Sequence, residues 1–314
     1  MKEWTFIWRL LTVYGIPLTF PWMIYYAFDF IRRKTGKISL KGKVVMITGA
    51  SSGLGEALAH VFYASGCKVI LVARRHEELK RVKNSLIQTA VNKTVETYPP
   101  TILSLDLTKF DVLTEEVDKI LASFGQIDIL VNNAGISYRG KAAKTKIDVD
   151  MQVMMINYFA QIALAKAVIP SMIKQQFGHI VCISSVQGKI AIPYRSAYAA
   201  SKHALQAWCD STRAELNNFN IKVSVVSPGY INTSLSLNAI TEGGECHGKM
   251  DKATESGYSA KYVADEILTA VLRQERETII APTLIKFVCL IRYLIPSVYF
   301  KIMNIRAKKS NDEK

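Results

Sequence analysis

Residues Val44 to Gly55 read VVMITGASSGLG, and this stretch decides the fold. Val44 to Ile47 is a short unbroken apolar run, the pattern of a parallel strand covered on both faces. It breaks at Thr48 into a loop carrying Gly49, Ser51, Ser52, Gly53, Leu54 and Gly55, and then into the helix-forming run Glu56 to Phe62. The three glycines take separate tasks. Gly49 allows the tight turn, Gly53 lets backbone approach a pyrophosphate, and Gly55 lets the new helix pack on the strand. The first turn of that helix offers unpaired N–H groups and a positive dipole end to a bound phosphate.

Outward from this unit, the chain of 314 residues suits one large α/β domain with appendages, and 49% of its residues are apolar. The net charge of +14 is unevenly placed. Residues 1–43 hold 8 basic and 2 acidic side chains, residues 284–314 hold 7 and 2, and the body between holds 25 and 22. Basicity therefore gathers beside the two apolar ends, which suits an anionic membrane surface and not nucleic acid. Five scattered cysteines without a CxxC pair argue against a disulfide framework or a metal site, and Cys67 and Cys182 sit in strand-like runs as small core residues.

Leu10 to Phe28 is free of charge over nineteen residues, about 28 Å as a helix, and is expected to anchor the chain in a membrane. Pro17 and Pro21 weaken a straight span, and a hairpin within one leaflet is the alternative. A cleaved signal peptide is disfavoured by the length of the run and by Arg32-Arg33-Lys34 after it. The basic flank from Arg32 to Lys43 places the body on the cytosolic side. The other apolar end, Leu284 to Met303, is broken by Lys286, Arg292, Pro296 and Lys301. It reads as an interfacial amphipathic segment, a second span, or a helix packed on the domain.

In the body, strands are expected at Lys68 to Val72, Thr101 to Leu105, Ile127 to Val131, His179 to Ile183 and Lys222 to Val226, alternating with helices. That alternation predicts a doubly wound, Rossmann-like parallel sheet. The second strand ends at Arg74-Arg75, where an NAD-selective site places an acid against the ribose hydroxyl. Guanidinium groups there pair with a 2′-phosphate, so the expected cofactor is NADP(H). Tyr198 and Lys202 stand four apart in SAYAASK and share a helical face. Ser185 ends a neighbouring strand, where clefts of such sheets lie. Residues 234–258, with Gly243, Gly244 and Gly248, read as a flap over substrate.

TGASSGLG, Asn132-Asn133-Ala134-Gly135, Asn157, Ser185, the Tyr198/Lys202 pair and Pro228-Gly229 follow one another in an order and spacing that resembles the short-chain dehydrogenase/reductase family over residues 40–280. The resemblance implies hydride transfer between a nicotinamide cofactor and a carbonyl or secondary alcohol. Tyr198 would be the general acid or base, Ser185 would bond the carbonyl oxygen, Lys202 would hold the nicotinamide ribose, and Asn157 would anchor a water. It also places Asp106 and Leu107 near the adenine, Asn133, Ala134 and Gly135 along the cofactor cleft, and Pro228, Gly229, Ile231 and Thr233 around the nicotinamide. The longer segments NNAGISYRG, SSVQGK, RSAYAASKHA and SPGYINTSLSLNAIT extend it towards a membrane-anchored branch of the endoplasmic reticulum and peroxisome. Members of that branch reduce acyl/alkyl-dihydroxyacetone phosphate. Ser52 departs from the basic residue that some NADP-dependent relatives carry.

An unperturbed phenol titrates near 10, and the Lys202 ammonium is expected to lower that value. A phosphorylated lipid ketone needs a cation, for which Lys189 and Arg195 are the candidates. The same site also fits a retinol or hydroxysteroid dehydrogenase. A scaffold without turnover is the remaining alternative, opposed by the complete set of Ser185, Tyr198 and Lys202. Homo-oligomers are frequent in the family. No metal is expected.

Overall fold

The computed structural model describes residues 38–90 and 97–312, with Thr12, Phe20 and Ile24. The rest of the expected anchor, Leu10 to Phe28, lies outside the described residues. Two units are distinguished, residues 1–39 with 272–274 and residues 40–271 with 275–314. In the first, the Ile38 N–H donates to the Leu272 carbonyl at 3.0 Å.

The second unit is built on seven parallel strands: β1 (Val44–Thr48), β2 (Lys68–Ala73), β3 (Thr101–Ser104), β4 (Ile129–Asn132), β5 (Gly178–Ile183), β6 (Ile221–Pro228) and β7 (Glu277–Ile280). Their order across the sheet is β7-β6-β5-β4-β1-β2-β3. The sequence reverses direction of winding at β1, between β4 and β2, and a crevice opens there at the carboxyl ends of the strands. β1 is buried at all five positions, with Val45, Met46 and Ile47 wholly inaccessible. Each such side chain contributes about 1.5–3 kcal/mol by leaving water. β7 was not foreseen. Among the described residues it pairs only with β6, from Glu277 opposite Val225 to Ile280 opposite Pro228, and an edge strand of this kind lacks the continuous apolar run of a central one.

Helices α1 (Gly53–Ala64), α2 (His76–Ala90) and α3 (Phe110–Phe124) follow the first three strands. After β4 comes α4 (Ile147–Gln175), 29 residues with a mean hydropathy of 1.4 over its most apolar window. By length and composition it is able to cross a membrane, yet Ala160, Leu164, Val168 and Met172 are buried in the main core with Leu113 and Val117 of α3. It is the central helix of the domain. Its ladder is interrupted by a π turn over Met155–Phe159, a feature that recurs at functional sites.

α5 (Ser196–Leu216) and α6 (Ala260–Leu272) complete the layers. Residues 234–258 are tied to the body at several points. Ile240–Thr241 pairs with Tyr138–Arg139, and Tyr258–Ser259 pairs with Ile231–Asn232. The C-terminal stretch forms two helices, α7 (Thr283–Leu294) and α8 (Pro296–Asp312), separated at Ile295. Twelve residues of α7 reach about 18 Å, short of the roughly 30 Å hydrocarbon layer. A second continuous span is thereby corrected.

Candidate active site

The crevice at the carboxyl ends of the strands encloses ≈ 570 Å³ and runs from Arg74 and Arg75 past the glycine loop to Ser185, Tyr198 and Lys202. Gly49 and Gly53 adopt φ of +67° and +59°, conformations that favour glycine. A Cβ on Gly55 would lie 2.1 Å from the Gly49 carbonyl oxygen, so the third glycine is fixed by close packing of α1 on the turn. Ser52 precedes α1 without capping it through its side chain. The first N–H groups of this helix therefore face the crevice uncapped, as a bound phosphate requires.

Thr48 joins β1 to the NNAG element. Its hydroxyl oxygen accepts from the N–H groups of Asn133 and Ala134 at 2.9 and 3.0 Å, and Asn133 Nδ2 donates to the Thr48 carbonyl at 2.9 Å. Asn132 Nδ2 donates to the Gln161 carbonyl, while Gln161 Nε2 donates to the Ala134 carbonyl at 2.7 Å. The asparagines thus brace one wall through their amides, with Gln161 as a partner that sequence spacing did not reveal. Asn157, at the middle of the π turn, is equally engaged. Its Oδ1 accepts from Ile136 N–H at 2.8 Å, and its Nδ2 donates to the Ile136 carbonyl and the Ser201 hydroxyl.

At the adenine end, Arg75 donates to the hydroxyls of Ser51 and Ser52 at 3.0 and 2.9 Å. Arg74 lines the same end. Asp106 and Leu107 line the crevice as well. Burial pulls the Asp106 carboxyl upward, but hydrogen bonds from the Thr108 N–H and hydroxyl and the charge of Arg74 leave it below its ordinary value. At the other end, Pro228, Gly229, Ile231 and Thr233 line the crevice. Thr233 closes over the glycine loop, 3.3 Å from where a Gly53 Cβ would sit.

Tyr198 and Lys202 lie one turn apart on α5, both buried. Ser185 follows β5, where its oxygen accepts from the Gln187 N–H at 3.1 Å and its side chain lies close enough to the Tyr198 phenol to act on it. Burial pushes the phenol above its ordinary value, and Ser185 and the charges of Arg139 and Arg195 act against that rise. The Lys202 ammonium is 5.8 Å from the Tyr198 ring centre and donates to the Ile183 carbonyl at 2.9 Å. Burial lowers it to about 8. Arg139 and Arg195 thus pull on the phenol, while the Lys202 ammonium over the ring is held at the end of β5.

The substrate side also differs from expectation. Lys189 does not line the crevice; its ammonium is taken by Glu277 on the sheet edge. Arg195 caps the start of α5 behind the wall and pairs with Asp251 at 3.2 Å. The guanidinium that does line the crevice is Arg139, held by two bonds to the same Asp251 oxygen at 2.8 and 2.5 Å. Both arginines are largely buried, and Arg195 Nε has no hydrogen-bond partner. Gln187 also lines this end with its side-chain oxygen unpartnered. Neither Arg139 nor Gln187 stood out by spacing, although both fall within the longer segments that carry the family resemblance.

A nicotinamide dinucleotide fits this crevice: an uncapped helix start for its pyrophosphate, arginines at one end, and a buried phenol, hydroxyl and ammonium at the other. The comparisons agree. The short chain dehydrogenase family model matches residues 43–242. A "Dehydrogenase/reductase SDR family protein 7-like" of Anopheles gambiae is 52% identical over 304 residues, covering 97% of this chain and 95% of that protein. A "Dehydrogenase/reductase SDR family member 7B" of Rattus norvegicus is 44% identical over 300 residues, covering 95% and 92%. Among solved structures, a short-chain dehydrogenase/reductase from Burkholderia phymatum in complex with NAD shares the fold with a TM-score of 0.71 at 23% identity, over 83% of this chain and 96% of that one. A metagenomic short-chain oxidoreductase in complex with NADP aligns at 29% identity with a TM-score of 0.61, over 78% and 99%. On the family match and the arrangement of its cleft, this chain belongs to the short-chain dehydrogenases/reductases.

Proposed function

We propose that the protein is a membrane-associated, NADPH-dependent reductase of a lipid ketone that carries an anionic head group, with acyl/alkyl-dihydroxyacetone phosphate as the substrate of first choice. The observation that carries this reading is the pair of buried arginines, Arg139 and Arg195, sharing the single carboxylate of Asp251 beside Tyr198. Two cations against one anion leave a positive surplus at the substrate end, which a phosphate balances. Gln187 offers an acceptor to a substrate hydroxyl next to it.

A bound nicotinamide cofactor supplies the hydride. Tyr198 gives its proton to the carbonyl oxygen as charge develops there, and the Ser185 hydroxyl donates a second hydrogen bond to the same atom. Ser185 is prepared for this by the Gln187 N–H, which occupies its acceptor side. Lys202, a buried donor bonded to the Ile183 carbonyl at the edge of the crevice, would hold the cofactor ribose. Arg75, already laid across the serines of the glycine loop, and Arg74 beside it take the 2′-phosphate. The charge-free run Leu10 to Phe28 anchors the body to the cytosolic face of the endoplasmic reticulum or peroxisome, a placement supported by the basic flank after it.

The test is NADPH oxidation by the full chain in lipid vesicles, with phosphorylated ketone lipids, their dephosphorylated counterparts, steroids and retinoids. Turnover is expected with the phosphorylated ketones, abolished by Tyr198→Phe, and Arg139→Gln is expected to raise KM for the phosphorylated substrates alone. Turnover of steroids or retinoids with none of ketone lipids would replace this reading by the dehydrogenase alternative. No turnover of any of them would favour a scaffold.

A further inference from the structure

The paired helices α7 and α8 carry more apolar surface than the domain covers. On their inner side Cys289, Tyr299 and Ile190 form a small buried cluster, with Val288, Ile291 and Met303 packed around it. The outer side is exposed. Leu284, Phe287, Leu290 and Leu294 recur at three- and four-residue steps along α7, and Val298, Ile302 and Ile305 along α8, so each helix presents one continuous stripe. Leu284 and Leu294 are 69% and 68% exposed. A stripe of this extent on a folded domain marks a surface that meets something apolar.

The charges on the two helices indicate what it meets. Between Thr283 and Lys308 there are five cations, Lys286, Arg292, Lys301, Arg306 and Lys308, and no acid. Arg292 is spent within the pair, over the rings of Tyr299 and Phe300 at 5.2 Å. Arg306 turns to the Tyr230 hydroxyl, and Lys286, Lys301 and Lys308 remain beside the stripe. A second copy of the chain docked through the same face would set these cations against their own equivalents, and the charge-free run Leu10 to Phe28 would leave them unanswered. An anionic bilayer surface satisfies both features, since it takes apolar side chains below the head groups and cations among them.

We propose that the outer face of α7 and α8 is a monotopic docking surface for anionic lipid, separate from the N-terminal anchor. It stands next to the walls of the substrate cleft. Tyr194, beside Arg195, donates its hydroxyl to the Ala307 carbonyl at 3.1 Å, and Tyr299 bonds the Ala191 carbonyl. Arg306 donates to the Tyr230 hydroxyl at 3.0 Å, and Tyr230 lines the crevice. A lipid surface held by α7 and α8 thus lies beside the substrate end of the crevice, so that an amphiphile enters with its head group first.

The test places an environment-sensitive fluorophore on Leu290→Cys in a Cys246→Ala background, with Ser123→Cys on α3 as the control site. The full chain is reconstituted into phosphatidylcholine vesicles with and without 30% phosphatidylserine, roughly the content of an anionic leaflet. The label at 290 is expected to be dry and quenched by a doxyl group near the lipid head in the phosphatidylserine vesicles, and the label at 123 to stay wet. Lys286→Glu with Lys301→Glu is expected to weaken that quenching as if surface affinity fell about tenfold or more. A label at 290 that remains open to aqueous iodide in anionic vesicles overturns the proposal. So does a label that is dry yet untouched by the lipid-borne quencher, which would assign the stripe to another protein surface.

Discussion

Lys202→Met is expected to make this protein more stable and inactive. Lys202 is 4% exposed, its ammonium bonds the Ile183 carbonyl, and burial brings it from its ordinary 10.5 to about 8. Between those two values the unfolded chain binds the proton more readily than the folded one, so stability rises with pH across that window and the cost is complete below pH 8. The gap of about 2.5 corresponds to ~3 kcal/mol. Loss of the bond to Ile183 takes back ~1 kcal/mol, while methionine retains most of the apolar stem. A net gain of ~2 kcal/mol in a domain of this size raises Tm by roughly 4–8 °C at pH 7. Thermal melts of the nucleotide-free full chain at pH 7, 9 and 10.5 check both the size and the pH dependence: the advantage of Lys202→Met should shrink towards nothing at the upper end. A variant that melts at or below wild type at pH 7, or whose advantage is the same at every pH, would refute the argument that desolvation governs this lysine.

Arg74→Ala with Arg75→Ala is expected to raise KM for NADPH by about 10–100-fold, the worth of a charge-assisted contact, and to leave KM for NADH nearly unchanged in steady-state assays. His179 is buried against Ser224, and burial, followed by the charge of Lys222, lowers it to about 4. As pH falls from 6.5 the unfolded chain takes up this proton first, so stability drains towards pH 4 by ~3 kcal/mol. His179→Gln should flatten that part of a melting-temperature series measured against pH. Asp251→Asn leaves Arg139 and Arg195 largely buried without their shared counter-charge and is expected to cost ~3 kcal/mol, read as a lowered Tm that added phosphate partly restores. Gly55→Ala should prevent nucleotide-induced thermal stabilisation, because the new Cβ meets the Gly49 carbonyl.

How much of this was legible in the chain depended on whether a feature is local. β1 and its glycine turn were readable because a strand buried on both faces must be apolar throughout and a turn with positive φ selects glycine. Tyr198 and Lys202 were readable because four residues make one helical turn. Arg139 was not, since it reaches the cleft only through the pairing of Tyr138–Arg139 with Ile240–Thr241, a contact between segments about a hundred residues apart. Lys189 lies close to Ser185 in sequence, but its charge is claimed by Glu277 of β7, an edge strand without the apolar signature of the central ones. The π turn at Asn157 was equally silent, because its segment Met155–Phe159 carries no glycine, proline or other local sign of a change in helical pitch.

The electrostatics of the cleft bear on the direction of the chemistry. Burial disfavours the charged form of both partners: it holds the Tyr198 phenol above its ordinary value and lowers Lys202 to about 8, where the ammonium still prevails at neutral pH. A phenol held above its ordinary value keeps its proton at neutral pH and is ready to give it to a carbonyl oxygen that is gaining charge, whereas removing a proton from an alcohol requires the phenolate. The fixed cations Arg139 and Arg195 lower the cost of the phenolate left behind, so they assist after the proton has moved without emptying the site beforehand. Asp251 limits how far they can do so, since the same carboxylate that holds both guanidinium groups also offsets part of their field. On the proposed function, an anionic substrate group seated on Arg139 would offset it further. On the proposed function, this arrangement suits proton donation by Tyr198 at neutral pH, and proton abstraction from an alcohol gains as the medium becomes alkaline.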